Sequence, residues 1–180
     1  MKIKTTLNFW DFDGTLIATQ TPEHGKDIWS KYHKKVYPHV GWWSKDLSLC
    51  IQAFSNNTKP EVHNAYLKTK KEIFCVKNFN YLLTSRMPKL KPHVLAILDK
   101  HKIVMDEYFF ASDKNKGEKI YDEVQKMLLA YDVTNVTVYE DRLKEVKVIE
   151  AFRDKLKDLG VELTIVKIES DADLNDATGK

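Results

Sequence analysis

Two carboxylates one residue apart, Asp11 and Asp13, end the apolar run from Thr5 to Trp10, and Gly14-Thr15-Leu16 follows them directly. In an extended strand alternate side chains share a face, so this spacing aims both acids at one point if the strand ends there and the chain loops around it. Gly14 lets the backbone turn sharply at that place. Carboxylates this close raise each other's pKa unless a cation or a proton neutralises them. A hard, oxygen-seeking Mg²⁺ is the natural third party.

Further candidates lie at the ends of other apolar runs. Tyr81-Leu82-Leu83 leads into Thr84-Ser85-Arg86, and Val136-Thr137-Val138-Tyr139 into Glu140-Asp141-Arg142, with Glu145 four residues past Asp141. A threonine hydroxyl donates a hydrogen bond without adding charge. The guanidinium of Arg86 suits phosphate geometry, or could serve a surface salt bridge. Three lysines, Lys114, Lys116 and Lys119, crowd the start of an amphipathic stretch.

The elements that would position these residues follow from hydrophobic spacing and stop signals. Thr5 to Trp10 reads as a buried strand. Thr21-Pro22 reads as a helix start with Thr21 as N-cap; Ile28, Trp29, Tyr32 and Val36 follow at helical spacing, Pro38 ends the helix, and Gly25 fits its first turn poorly. Residues 40–51 show no period and read as irregular. Pro60 to Phe74 reads as a helix with Val62, Tyr66 and Ile73 inward, and Asn78 to Thr84 as the second core strand. Beyond them lie a helix from Lys91 to Lys102, a short strand from Met105 to Phe110 and a helix from Gly117 to Tyr131. The β-branched run Val133 to Tyr139 suits a strand buried on both faces. A helix from Leu143 to Leu159, stopped by Gly160, and a strand from Val161 to Ile168 complete the pattern.

Strands alternating with helices predict an open α/β architecture of three layers around a mostly parallel central sheet. In such sheets the ligand sits beyond the carboxyl ends of the strands. Asp11, Thr84 and the pair Glu140-Asp141 all fall there.

With 43% hydrophobic and 31% charged residues over 180 positions, the composition is that of a globular domain. One domain is expected over residues 1–168, followed by an acidic, aperiodic tail, residues 169–180, expected to be disordered. The lack of a bilayer-length apolar run or signal peptide predicts a cytoplasmic or otherwise intracellular protein without a membrane partner. Cys50 and Cys75 lack metal-type spacing and are expected to be free thiols. The net charge of +3 is unevenly placed: between Ala18 and Asn78 ten lysines face five acids, and three of the four tryptophans, Trp29, Trp42 and Trp43, lie among them. A basic, Trp-rich segment beside an acidic metal site suits a polyanionic substrate, with Trp42 and Trp43 offering rings on which a terminal base could stack.

The hexapeptide Asp11-Phe12-Asp13-Gly14-Thr15-Leu16 resembles the first motif of the haloacid dehalogenase-like superfamily at every position. Tyr81 to Arg86 resembles its second motif, Lys116-Gly117 its helix-start lysine, with Lys119 the next choice, and Tyr139 to Arg142 its fourth. The resemblance implies a Rossmann-like fold of that family, with a small flap or insert within about residues 18–78 instead of a large cap. It also implies roles. Asp11 would be the nucleophile that takes up a phosphoryl group, and Asp13 the acid/base. Thr84 and Lys116 would hold the phosphate. Asp11, the Asp13 carbonyl and Asp141 would bind Mg²⁺, with Glu140 and Glu145 in support, and Ser85, Arg86, Trp42 and Trp43 would contact substrate.

More narrowly, Thr21-Pro22, Trp29, Gly41-Trp42-Trp43, Leu47 to Leu49 and Tyr139-Glu140-Asp141-Arg142 resemble the HAD domain of Swiss Army Knife RNA repair-like proteins; where that group carries a histidine near position 145, this chain has Glu145. This implies a phosphatase acting on a polynucleotide end, such as a 3′-phosphate, with an RNA-repair kinase or ligase as partner. A nucleotide or small-metabolite phosphatase and a non-catalytic nucleic-acid-binding module are the alternatives.

Overall fold

The computed structural model describes residues 2–50, 57–70 and 76–169. Cys75, Ile73, Phe74, the side chain of Cys50 and the tail from residue 170 onward lie outside the described residues.

Five strands form the central sheet: β1 (Lys4–Trp10), β4 (Val76–Leu83), β5 (Glu107–Phe109), β6 (Asp132–Glu140) and β7 (Glu162–Lys167), in the order β5-β4-β1-β6-β7. Every neighbouring pair is parallel. The chain leaves β1 toward β4 and β5, then crosses back to β6 and β7 on the other side, so connections diverge between the carboxyl ends of β1 and β6. That divergence opens the crevice in which open α/β sheets bind ligands. Register settles what meets there: Trp10 pairs with Leu82 on one side and Tyr139 on the other. The next residue, Asp11, is therefore level with Glu140, with Thr84 just past the tip of β4.

Alternation along β1 separates two cores. Leu7 and Phe9 pack with Ile120, Val124, Val136, Val138 and Ile149, beneath α5 (Lys116–Leu128), α6 (Leu143–Glu150) and α7 (Arg153–Asp158). Trp10 faces the opposite layer with Val62, Tyr66, Leu82, Val94 and Leu98, under α3 (Pro60–Thr69) and α4 (Lys91–Lys100), and its ring stacks on Tyr139 at 3.7 Å. Helices on both faces complete the three layers.

Between β1 and α3 the described chain holds β2 (Ile17–Ala18), α1 (Pro22–His33), α2 (Leu47–Cys50) and β3 (Asn57–Thr58); β2 and β3 form a two-stranded antiparallel ribbon. Thr21 caps α1 as expected, accepting from His24 N. The helix stops at His33, earlier than Val36, because Lys34 takes a left-handed conformation (φ 52°) and the chain reverses. The reversal brings Tyr37 back against Trp29 and Trp42, its amide donating to Ser30 Oγ at 3.1 Å. Tyr32 and Val36, which helical spacing placed with Ile28 and Trp29, are exposed.

Gly25, awkward in the sequence, has a packing reason. A Cβ there would lie 2.1 Å from the Trp42 ring. Alanine ordinarily favours a helix over glycine by about 1 kcal/mol, yet forcing a methyl into this contact costs about 1–3 kcal/mol. Gly25→Ala is thus expected to lower the denaturant midpoint, and a raised midpoint would show that Trp42 has room to move.

The single helix expected from Leu143 to Leu159 is two, broken at Ala151 and Phe152. The break seats the Phe152 ring over Gly117, where a Cβ would come within 2.4 Å, and so lets the start of α5 approach α6 closely.

Candidate active site

The loop after β1 wraps tightly. Gly14 has φ 70°, its amide donates to Ile17 O at 2.9 Å, and Leu16 N donates back to Asp11 O at 3.2 Å. Asp11 is left 5% exposed at the mouth of the sheet.

Lys116 reaches this acid from the opposite direction. It is the first residue of α5, whose start is set by a reciprocal cap: Glu118 N donates to Asn115 Oδ1 at 2.9 Å and Asn115 N to Glu118 Oε2 at 2.7 Å. With Gly117 pressed under Phe152, the Lys116 ammonium donates to Asp11 Oδ1 at 2.6 Å and to Glu140 Oε2 at 2.5 Å. Of the three candidate lysines this is the one that meets Asp11. Lys114 pairs with Asp122 on the surface, and Lys119 donates to Phe110 O.

Asp11, Glu140 and Asp141 are all buried and each offers an oxygen within 4.8 Å of the others. Glu140 also accepts from Arg142 N at 3.1 Å. Glu145 stands outside this cluster, paired with Arg142 at 3.1 Å. Burial pushes the Asp11 carboxyl up to about 7, with Glu140 adding to the shift and Lys116 opposing it. Burial raises Glu140 as well, against Lys116. Lys116 loses by burial but is held above the ordinary lysine range by Asp11 and Glu140.

Once ionised, three buried carboxylates against one ammonium carry a net negative charge that a divalent cation neutralises, presented by hard oxygen donors. The donor set therefore fits Mg²⁺. Without metal, the folded chain keeps a proton on Asp11 that the unfolded chain releases at its ordinary 3.8, so stability falls as pH rises from about 4 to about 7. Mg²⁺ at a hundredfold excess over its Kd is expected to raise Tm by about 5–10 °C at pH 8. At pH 5, where protons compete for Asp11, the shift should be much smaller. Equal shifts at both pH values, read by calorimetry, would detach the metal from this carboxylate.

Asp13 lies on the other side of the turn. Its carboxylate accepts from Thr19 Oγ1 at 2.8 Å and, in a two-pronged pair, from Arg86 Nε at 2.8 Å and Nη2 at 2.7 Å. Thr84 is buried at the tip of β4 and its Oγ1 accepts from Arg86 N at 3.2 Å, which leaves the hydroxyl hydrogen to donate elsewhere. Ser85 is exposed beside it.

Arg86, expected at a phosphate or in a surface salt bridge, is 2% exposed and holds Asp13, Trp43 O and Ser48 Oγ. Trp42 is 2% exposed over Gly25, so it has no free face for a base. Trp43 is half-buried with the Arg86 guanidinium 5.2 Å from its ring centroid. Thr19 and Ser48 escaped the sequence reading. A lone hydroxyl in a turn or an aperiodic stretch carries no spacing signal.

No protein-family model matches the chain, and no curated protein does. Among solved structures it is similar to a hydrolase of the haloacid dehalogenase-like family from Streptococcus pneumoniae, with a TM-score of 0.51 and 15% identity, over 96% of this chain and 90% of that one. That likeness shows the haloacid dehalogenase-like fold. Among the described residues no helix is long and apolar enough to cross a membrane.

Proposed function

We propose that the chain is a Mg²⁺-dependent phosphomonoester hydrolase working through an aspartyl-phosphate on Asp11. The observation that carries this is the meeting of Asp11, Lys116, Glu140 and Asp141 at the carboxyl ends of β1 and β6, with Asp13 and Thr84 on adjoining tips.

An Asp11 carboxylate oxygen attacks phosphorus while the bond to the leaving oxygen breaks. Asp13, entering this step protonated, gives that oxygen its proton and the alcohol departs. Asp13 then takes a proton from water, the water oxygen bonds to phosphorus, and the bond to Asp11 breaks. Inorganic phosphate leaves and both acids are restored. Lys116 and the Thr84 hydroxyl offset charge on the phosphoryl oxygens. Mg²⁺, held by Asp11, Asp141 and the Asp13 carbonyl with Glu140 in support, would supply Lewis-acid stabilisation of the same charge. A halide-displacing enzyme would use Asp11 but has little need of Asp13.

For substrate class we propose a polynucleotide end, as the narrower resemblance to RNA repair-like proteins implies, with an RNA-repair kinase or ligase as partner. Support comes from the exposed lysines of the segment after β2, including Lys31, Lys34 and Lys35, and from the small size of the described insert, which would leave a polymer end room to enter. The test is Mg²⁺-dependent phosphate release from 3′- or 5′-phosphorylated oligonucleotides against free mononucleotides. Faster release from oligonucleotides, with a salt-sensitive KM, supports the polymer. Equal or better turnover of mononucleotides replaces it with the metabolite reading, and binding without release leaves a nucleic-acid-binding module.

A further inference from the structure

We infer that Arg86 is a positioning residue for Asp13: its guanidinium fixes the plane of the acid/base carboxylate and ties it to the loop carrying Trp43 and Ser48. The inference rests on the roles proposed above for Asp11 and Asp13.

Every nitrogen of the Arg86 fork is engaged. Nε and Nη2 grip the two oxygens of Asp13, and Nη1 donates to Trp43 O at 3.2 Å and Ser48 Oγ at 2.5 Å. The cation lies against the rings of Trp43 and Phe12, 5.2 and 5.9 Å from their centroids. The main chain is pinned as well: Arg86 N donates to Thr84 Oγ1, and Arg86 O accepts from Ala111 N at 2.9 Å. On the loop side, Ser48 Oγ donates to Lys45 O at 2.6 Å, and the neighbouring Trp42 is locked over Gly25. Four of the five guanidinium N–H groups are thus committed to the acid and the loop, and one on Nη2 is left over.

The side chain of Asp13 is 18% exposed, against 7% for Asp11 and 1% for Glu140. Once Arg86 is removed, Thr19 is, among the described residues, the remaining side chain that donates to it. A two-pronged arginine pair sets a carboxylate's plane as well as its place, which a lysine cannot do. Misplacing an acid/base group costs about 10²-fold, and the loss falls on the step that needs the proton.

That step separates this role from two others. In phosphoryl transfer to Asp11, an alkoxide leaving group must receive the Asp13 proton as its bond to phosphorus breaks, whereas a nitrophenolate departs with little help. The measurement is kcat/KM, which reports aspartyl-phosphate formation, for p-nitrophenyl phosphate and for an alkyl phosphate, in wild type and Arg86→Lys. Expected is a loss of about 10²-fold on the alkyl ester and under about 5-fold on the aryl ester. Inhibition by orthophosphate should be unchanged.

Equal losses on both esters, or weakened orthophosphate inhibition, would overturn the inference in favour of a scaffold or a direct phosphate ligand. If Arg86→Lys does not fold, Ser48→Ala decides. It removes one loop-side acceptor of Nη1 and should cost the alkyl ester about 3–10-fold more than the aryl ester, while a flat profile overturns the inference. Failure of the underlying chemistry looks different: wild type inactive on both esters, or Asp11→Asn as active as wild type.

Discussion

Asp11→Asn is expected to reduce Mg²⁺-dependent phosphate release at least about 10⁴-fold, the scale on which removing a covalent nucleophile acts. The substitution keeps size and shape at a position 5% exposed, so the chain should still fold. The sign of the stability change is informative. Burial holds the Asp11 carboxyl near 7, so above that pH the metal-free chain carries a charge that folding disfavours. A neutral amide avoids this, and the metal-free variant should melt higher than wild type at pH 8. Loss of activity with gain of stability marks a group kept for chemistry at the expense of the fold. A variant that kept more than a hundredth of wild-type turnover would remove Asp11 from the reaction.

The second large effect falls on Lys116. Its ammonium is the described partner of both Asp11 and Glu140. Lys116→Met preserves most of the aliphatic volume but leaves two buried carboxylates facing Asp141 without their cation. Breaking a buried ion pair from one side costs about 3–5 kcal/mol, and losing a preorganised cation at a reacting phosphoryl group costs about 10²–10³-fold in kcat. Urea unfolding at pH 8 and steady-state kinetics measure the two separately. Because the carboxylates can take up protons, the stability loss should shrink toward pH 5. A pH-independent loss would point to packing of the lysine stem as the cause.

Gly25→Ala probes the other end of the same construction. Trp42, Trp43 and Ser48 lie on the loop that Arg86 ties to Asp13, and Gly25 seats that loop on α1. A packing fault remote from the reacting carboxylates therefore has a route of named contacts to the acid/base.

What the linear sequence settled was whatever short-range physics determines. Apolar, β-prone runs ending in polar residues marked β1, β4 and β6. Because Asp11, Thr84 and Glu140 fall at the tips of parallel strands, their convergence followed from topology without any side-chain detail. Thr21 and Gly14 were legible for the same reason: an N-cap and a tight turn are decided within a few residues. Tertiary structure decided what depends on partners distant in the chain. Three lysines within six positions look alike until α5 docks under Phe152 and one of them meets Asp11. Arg86 suits a phosphate or a salt bridge by its place after Thr84, and only the fold sets Asp13, Trp43 and Ser48 around it and presses the Trp42 ring against Gly25. A residue's spacing states where it can point, and the contact that claims it is settled by which distant surfaces the fold presses together.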